Sequence, residues 1–260
     1  MAYENTQIIV DVRPDNIAIV TFSAPPLNVF NVACFEEFER TLQALEKDPA
    51  VRVVIFTGAG SKAFSAGSDI KEFHAMKDSI KFRKFSVEGR AGMYMECLPQ
   101  PTIAAVEGVC LGGGLETALC CDIRIIADNS KMGMPEGKLG LYPGGGGLYR
   151  LARIAGLPKA YEMLFTGEPI EAQECKEFRL TNKVVPQGGS MAAALDMAQK
   201  MLAMPDSSLR LMKKAVRDMW QKSSADNYWP GLELVDGFYA GENPWEGIEA
   251  FLGKRAPRFS

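Results

Sequence analysis

Short apolar runs alternate with segments of helical periodicity through the first two thirds of the chain. Val32, Phe35, Phe38, Leu42 and Leu45 recur at three- and four-residue spacing, which is typical of one buried helix face. The predicted strands lie at 7–12, 17–22, 51–57, 102–106, 122–127, 130–134 and 183–185. Other predicted helices lie at 70–77, 79–98, 148–155, 160–165 and 170–178. Strands that alternate with helices predict an α/β core.

From Pro158 onward the pattern is mostly helical. Helices are predicted at 192–204 and 209–220, the second capped by Asp206 or Ser207, and two more contain Tyr228 and 245–252. We expect residues 1–188 to form the core and residues 189–260 a helical C-terminal region.

The stretch from Val109 to Leu119 is the clearest local signal in the chain. It holds three consecutive glycines, and Glu116 follows at the start of a helical segment. Glycine allows close backbone approach, and the first amides of a helix have no internal partner. The stretch therefore predicts either a backbone site for a developing oxyanion or an ordinary strand-to-helix turn.

A second glycine run, 144–147, precedes the helix predicted at 148–155. It is interpreted as a second close approach or as a flexible loop. Glu116 follows the first glycine-rich segment, and Glu136 follows a proline. Two carboxylates beside an oxyanion site can transfer protons on both sides of a double bond, although both can equally be surface acids.

Two other motifs suggest different chemistry. Gly58 to Ala63 matches G-x-G-x-x-A, but the dinucleotide fingerprint requires a helix directly after it, and a loop is predicted there. Ser65 and His74 are residue types that a serine hydrolase uses, but the sequence lacks the G-x-S-x-G elbow. Both interpretations are disfavoured. Four methionines (Met93, Met95, Met132 and Met134) suit a core or an adaptable acyl-binding wall.

Composition excludes several classes of protein. The 260 residues carry a formal charge of −3, which gives no reason to expect a nucleic-acid surface. No apolar run is long enough to span a membrane, and no secretory signal is evident. One histidine and six cysteines without C-x-x-C spacing argue against a metal site. Free thiols predict a reducing, cytoplasmic location.

Taken in order, the motifs of this chain resemble the crotonase superfamily, also called enoyl-CoA hydratase/isomerase. Each motif is weak alone, and their common order and spacing are specific. The matching segments are 25–28, 53–58, 62–70, 101–108, 112–116, 121–122, 135–136, 140–147, 150–151 and 246–259.

The resemblance implies a crotonase-like spiral of ββα units with a helical C-terminal region. It also implies a homotrimer, or a dimer of trimers, in which residues 189–260 contribute to trimerisation. An acyl-CoA thioester is the implied ligand, so coenzyme A is part of the substrate and no separate cofactor is expected.

The same resemblance assigns site residues. The thioester oxygen would be held by the amides of Ser68, where the family more often has alanine, and Gly113. Glu116 and Glu136 would be the catalytic acids, with Glu136 at Cα and Glu116 orienting or activating water. The implied CoA-binding residues are Lys62, Ala63, Phe64, Ser65, Ala66, Asp69, Ile70 and Lys71. The implied acyl pocket contains Met93, Leu141, Tyr142, Gly144 and Tyr149.

Glutamate at both catalytic positions favours an enoyl-CoA hydratase. Leu148 and Tyr149 stand where many hydratases carry Thr-Gln, so an unusual acyl group is plausible. The alternatives are another acyl-CoA reaction of the family, namely isomerisation, thioester hydrolysis or decarboxylation, and a non-catalytic or RNA-binding relative.

Overall fold

The computed structural model describes residues 7–220 and 224–259. In chain order the strands are β1 (Ile8–Val12), β2 (Ile17–Phe22), β3 (Val53–Gly58), β4 (Ala63–Ser65), β5 (Thr102–Val106), β6 (Val109–Leu111), β7 (Ile123–Ala127), β8 (Lys131–Gly133), β9 (Ile170–Glu171) and β10 (Lys183–Val185). The α-helices are α1 (Val32–Lys47), α2 (Ser86–Cys97), α3 (Gly113–Ala118), α4 (Gly147–Ala155), α5 (Leu157–Thr166), α6 (Ala172–Glu177), α7 (Ser190–Leu202), α8 (Asp206–Met219), α9 (Ser224–Tyr239) and α10 (Asn243–Leu252).

The larger sheet has six strands in the order β1-β2-β3-β5-β7-β10. β1 and β2 form an antiparallel hairpin, and the following neighbours are all parallel. Ile55 in β3 lies between Ile19 and Ile103 of the adjacent strands. Strands buried on both faces explain the continuous β-branched runs of the sequence.

A second sheet contains β4, β6, β8 and β9 in that order. Successive turns of the chain add one strand to each sheet and then a helix, so the predicted spiral of ββα units is confirmed. The sequence interpretation of residues 64–68 as loop was wrong for Phe64 and Ser65, which belong to β4, and correct for the residues that follow, where Ser68 forms only an isolated bridge. Strands of three residues, such as β4 and β6, are too short to show a period and depend on their neighbours.

The core lies on both faces of the larger sheet. On one face α1 packs over an aromatic cluster in which the Phe22 ring centroid lies 4.9 Å from Phe30 and 5.2 Å from Phe38. On the other face Ala194 and Ala198 of α7 pack in one cluster with Ile55. The division at residues 188 and 189 stays a prediction, and the first helix after it covers the core sheet.

Some predicted helices differ from the structure in type or bounds. The predicted helix at 70–77 is two short 3₁₀ turns, Ile70–Glu72 and His74–Met76. The helix predicted at 79–98 begins with a π-helical turn, Lys81–Phe85, and continues as α2. The one predicted at 170–178 begins with the two-residue β9.

The starts of α1 and α8 are capped differently. Asn31 caps α1 by accepting a hydrogen bond from the Cys34 amide at 2.7 Å. Asp206 and Ser207 were both wrong as caps of α8, since they are its first two residues and Pro205 is at the cap position. The Asp206 carboxylate accepts from Arg210 at 2.6 Å. No helix in residues 7–220 and 224–259 is long and apolar enough to cross a membrane.

Candidate active site

Three parallel strands of the smaller sheet bring the predicted site residues together. β4, β6 and β8 end at Ser65, Leu111 and Gly133. Ser68, Gly113 and Glu136 follow these three ends within three residues. Because the carboxyl ends of neighbouring parallel strands meet at one edge, spaced by roughly 4.8 Å, the three segments lie side by side.

Two backbone amides at this edge have no acceptor among the described residues. Ser68 forms an isolated parallel bridge with Phe30, whose amide donates to Gly67 and whose carbonyl accepts from Asp69. This pattern leaves the Ser68 amide unused. Gly113 is the first residue of α3, so its amide has no partner within the helix. An ideal Cβ on Gly113 would lie 3.5 Å from the Ser68 nitrogen, so the two donors are adjacent.

Steric constraints explain why the other two positions of this turn are also glycine. Gly112 has a φ of +50°, which side-chain-bearing residues rarely adopt. Gly114 packs so closely that an added Cβ would lie 2.3 Å from the Ser65 carbonyl oxygen. The turn is therefore both a tight strand-to-helix connection and a pair of convergent donors, which can hold an anionic oxygen.

Glu116 lies in the first turn of α3 and is only 6% exposed. Its Oε1 accepts from the Gly147 amide at 2.7 Å. Burial raises the pKa of Glu116 to about 7, the Gly147 amide opposes that shift, and the charges of Glu88 and Glu136 add to it. The alternative of a surface acid is wrong for Glu116.

The second glycine run is a close approach rather than a flexible loop. A Cβ on Gly145 would lie 2.9 Å from Glu116 Oε2, and a Cβ on Gly147 would lie 2.8 Å from Glu116 Cγ. At Gly144 the added atom would lie 2.2 Å from the Phe85 ring. The run is therefore packed against the acid that it helps to bury.

Glu136 lies in a 3₁₀ turn, Pro135–Leu139, after β8. Its Oε2 is buried and has no hydrogen-bond partner among the described residues. Its Oε1 faces the backbone of Gly112, where an added Cβ would lie 2.9 Å away. Burial raises the pKa of Glu136, and the charge of Glu88 adds to that effect. A carboxyl group with a raised pKa and an unused buried oxygen is suited to exchanging a proton with a ligand.

A cavity of about 90 Å³ connects these groups. Its polar lining includes Ser68, Gly113, Glu116, Glu136 and Glu88. Leu141, Tyr142 and Gly144, three residues of the predicted acyl pocket, also line it, together with Phe73, Phe85 and Leu139, which the sequence interpretation did not name.

Two predicted acyl-pocket residues are not part of this lining. Met93 is 58% exposed on α2. Tyr149 packs against the guanidinium groups of Arg150 and Arg153, whose Cζ atoms lie 4.8 and 5.1 Å from its ring centroid. Helical periodicity does not reveal which way a residue near a turn faces, so neither position was decidable from sequence.

The predicted CoA-binding residues fall into three groups. Ala63, Phe64 and Ser65 are completely buried in β4, so their side chains support the fold. Ala66 and Ile70 line the cavity. The remaining three are Asp69, which caps the first 3₁₀ turn by accepting from the Lys71 amide at 3.0 Å, and the exposed Lys62 and Lys71.

Neither of the disfavoured motifs has the structure that its chemistry requires. Gly58 to Ala63 connects two strands, and β4 rather than a helix follows it, so the dinucleotide interpretation is wrong. The buried Ser65 hydroxyl accepts a hydrogen bond from the Gly67 amide at 3.0 Å, which gives it a structural role in the turn.

Glu88 is the polar site residue that the sequence interpretation missed. Its only signal is the four-residue spacing to Lys84, and such pairs are usually solvated. Here Lys84 is completely buried and Glu88 is 4% exposed.

Comparisons with known proteins agree with this geometry. The sequence model of the family described as Enoyl-CoA hydratase/isomerase matches residues 13–260. A protein of Clostridium acetobutylicum named short-chain-enoyl-CoA hydratase is 36% identical, with 94% of each chain covered. A protein of Syntrophomonas wolfei named crotonyl-CoA hydratase is 35% identical, and the match spans 100% of this chain and 99% of that protein.

A comparison with solved structures points to the same family. A crystal structure of an enoyl-CoA hydratase from Bacillus anthracis superposes with a TM-score of 0.92 at 34% identity, covering 98% of this chain and 99% of that one. Sequence and structure matches therefore span nearly the whole chain. The chain belongs to the enoyl-CoA hydratase/isomerase family.

Proposed function

We propose that this protein is an enoyl-CoA hydratase, a hydro-lyase that reversibly adds water across the 2,3 double bond of an acyl-CoA thioester. The observation that carries the proposal is the meeting of two unused amides, the buried Glu116 and the half-buried Glu136 in one cavity. Each pair alone occurs in many proteins, and together they match the two needs of hydration: charge on the thioester oxygen and proton transfer at two carbons.

In the proposed mechanism the thioester oxygen accepts hydrogen bonds from the Ser68 and Gly113 amides. Withdrawal of electrons into this oxyanion hole makes Cβ electrophilic and stabilises the enolate-like transition state. Water bound between the carboxylates attacks Cβ, and a proton is delivered to Cα. The thioester bond remains intact throughout.

Glu116 orients or activates the water, and Glu136 gives or takes the Cα proton. A pKa of about 7 allows Glu116 to accept and return a proton near neutral pH. The unpartnered Oε2 of Glu136 leaves one oxygen for the substrate. Because the two acids share one cavity, their titrations belong to the pair.

Cavity size and the two named relatives support a short acyl group. The cavity of about 90 Å³ accommodates only a few heavy atoms beyond the thioester. The curated names of the two bacterial relatives refer to short-chain and crotonyl substrates. We therefore propose short-chain enoyl thioesters, with the CoA portion near Ala66 and Ile70 and its phosphates near the exposed Lys62 and Lys71.

A homotrimer, or a dimer of trimers, is also proposed. It is supported by large apolar side chains exposed on the C-terminal helices, among them Val216, Trp220 and Phe251. Such surfaces commonly mark protein–protein contacts. A cytoplasmic location stays a prediction.

The test is incubation with crotonyl-CoA while the conjugated enoyl absorbance is followed. We expect the absorbance to fall, and 3-hydroxybutanoyl-CoA to be the product. Glu116→Gln should lower the rate by about 10²-fold or more. Glu177→Gln is the matched control, since Glu177 is exposed on α6.

Release of free CoA without hydration, for crotonyl-CoA and for longer and branched enoyl thioesters, would replace this proposal by thioester hydrolysis. Double-bond migration would replace it by isomerisation. Binding of labelled RNA at low salt without any thioester chemistry would favour the non-catalytic alternative.

A further inference from the structure

A third carboxylate lines the cavity and has no part in the proposed mechanism. Glu88 lies in the first turn of α2, facing the same space as Ser68, Gly113, Glu116 and Glu136. At 4% exposure it is as deeply buried as Glu116. Burying a carboxylate is costly unless partners compensate it, so its presence in a pocket for a hydrocarbon chain needs a reason.

The two contacts of Glu88 fall on one oxygen. The Ser68 hydroxyl donates to Oε1 at 2.7 Å, and Lys84 Nζ lies 2.9 Å from the same atom. Lys84 is itself completely buried, with its ammonium group 5.1 Å from the Phe73 ring centroid. In the described part of the chain, no hydrogen bond uses Glu88 Oε2.

A carboxylate can accept about four hydrogen bonds, and the second oxygen therefore retains its capacity. Other residues that line the cavity are apolar or aromatic, including Phe85, Leu141 and Tyr142. A plain hydrocarbon acyl group that displaced water from this space would leave Oε2 desolvated without a partner, which is costly. A hydroxyl group on the acyl chain would replace the lost water.

We infer that Glu88, held by Lys84 and Ser68, is a specificity-determining residue that selects acyl chains bearing a hydroxyl group besides the one that hydration places at C3. The inference rests on the proposed function only in taking an acyl-CoA thioester as the ligand. Three carboxylates around one cavity also disfavour an acyl chain that ends in a carboxylate.

Binding of saturated thioesters tests this selection without requiring turnover. Isothermal titration calorimetry would compare butanoyl-CoA, 4-hydroxybutanoyl-CoA and succinyl-CoA on the full chain. A hydrogen bond to a charged acceptor predicts that the hydroxylated chain binds roughly 10- to 100-fold more tightly than the plain one. Succinyl-CoA should bind more weakly than butanoyl-CoA.

The variant must remove both members of the buried pair, because removing Glu88 alone would leave Lys84 unpaired. In Lys84→Met/Glu88→Leu the preference for the hydroxylated chain should fall to near unity. Asp196→Leu/Lys200→Met is the matched control, since it deletes an exposed pair of the same spacing on α7 and should retain the preference. If the first double variant does not fold, Lys84→Met/Glu88→Gln takes its place, and the preference should fall several-fold.

Equal affinity of the unaltered protein for the plain and hydroxylated thioesters would overturn the inference and leave the hydratase proposal intact. So would a preference that persists in the folded double variant. Failure to bind any of the thioesters would overturn the inference together with the proposed ligand class, whereas the hydration assay with crotonyl-CoA tests the reaction separately.

Discussion

Replacing Glu116 with glutamine should stabilise the protein at alkaline pH while it abolishes most turnover. The amide of glutamine has nearly the shape of the carboxyl group, and its oxygen can still accept from the Gly147 amide, as Glu116 Oε1 does at 2.7 Å. The substitution removes only the ability to ionise. It therefore isolates the cost of placing a negative charge in this cavity.

The magnitude follows from the pKa of Glu116, which burial raises from 4.5 to about 7. Each pKa unit is worth about 1.4 kcal/mol, so full ionisation costs the folded state about 3 kcal/mol. Because the folded pKa is the higher one, the associated stability is complete below pH 4.5 and is lost as the pH rises to about 7. Glu116→Gln escapes this loss.

The assay is urea unfolding of both proteins at a fixed protein concentration, at several values from about pH 5 to pH 8. The measured quantity is the difference in unfolding free energy between the variant and the unaltered protein. We expect this difference to move in favour of the variant by about 2–3 kcal/mol across the range, and to become constant above pH 7. Glu177→Gln controls for the general effect of removing one surface charge.

A difference that is the same at pH 5 and at pH 8 would refute the reasoning. It would mean that Glu116 ionises in the folded protein as readily as in the unfolded chain. The proposal that Glu116 exchanges a proton near neutral pH would then have no physical basis, whatever effect the variant has on the rate.

Three further predictions concern other parts of the molecule. Glu136→Gln should lower crotonyl-CoA hydration by about 10²-fold or more with little change in the circular dichroism spectrum, and near-normal turnover would remove Glu136 from the site. Gly112→Ala should destabilise the fold by about 1–2 kcal/mol and also slow turnover, since its φ is +50° and the new methyl group would meet Glu136; thermal unfolding and rate assays measure both, and an unchanged pair of values would contradict the close approach. A thiol reagent should modify one cysteine per native chain rapidly, because Cys97 is exposed whereas the other five are buried and, for example, burial raises the pKa of Cys34 to about 12; Cys97→Ser should abolish the rapid phase, and a second fast thiol would be inconsistent with this burial.

Elements with a strong internal period were predictable from sequence, and elements that depend on neighbours were not. The face from Phe35 to Leu45 repeats often enough to identify α1 unambiguously. β4 and β6 have three residues each, so their strand character arises from pairing with each other and with β8. The π-helical turn at Lys81–Phe85 has no sequence period that separates it from an α-helix.

The candidate site divides in the same way. Gly113 and Glu116 belong to one local turn, so the sequence places them together. The adjacency of Ser68 depends on a bridge to Phe30, thirty-eight positions earlier in the chain, and only the resemblance to a family suggested it. The Lys84–Glu88 pair has the spacing of a solvated pair, and its burial is a property of the assembled fold.

The alignment of three strand ends has an evolutionary consequence. Ser68, Gly113 and Glu136 take their spacing from β4, β6 and β8, which are held together by backbone hydrogen bonds that do not depend on side-chain identity. Mutations in the surrounding loops can therefore alter the shape of the cavity while the Ser68 and Gly113 amides keep their separation. A lineage can change its substrate by a single substitution at a loop position such as 142, which lines the cavity. An inserted residue at any one of the three strand ends would instead displace one of the three groups from the other two.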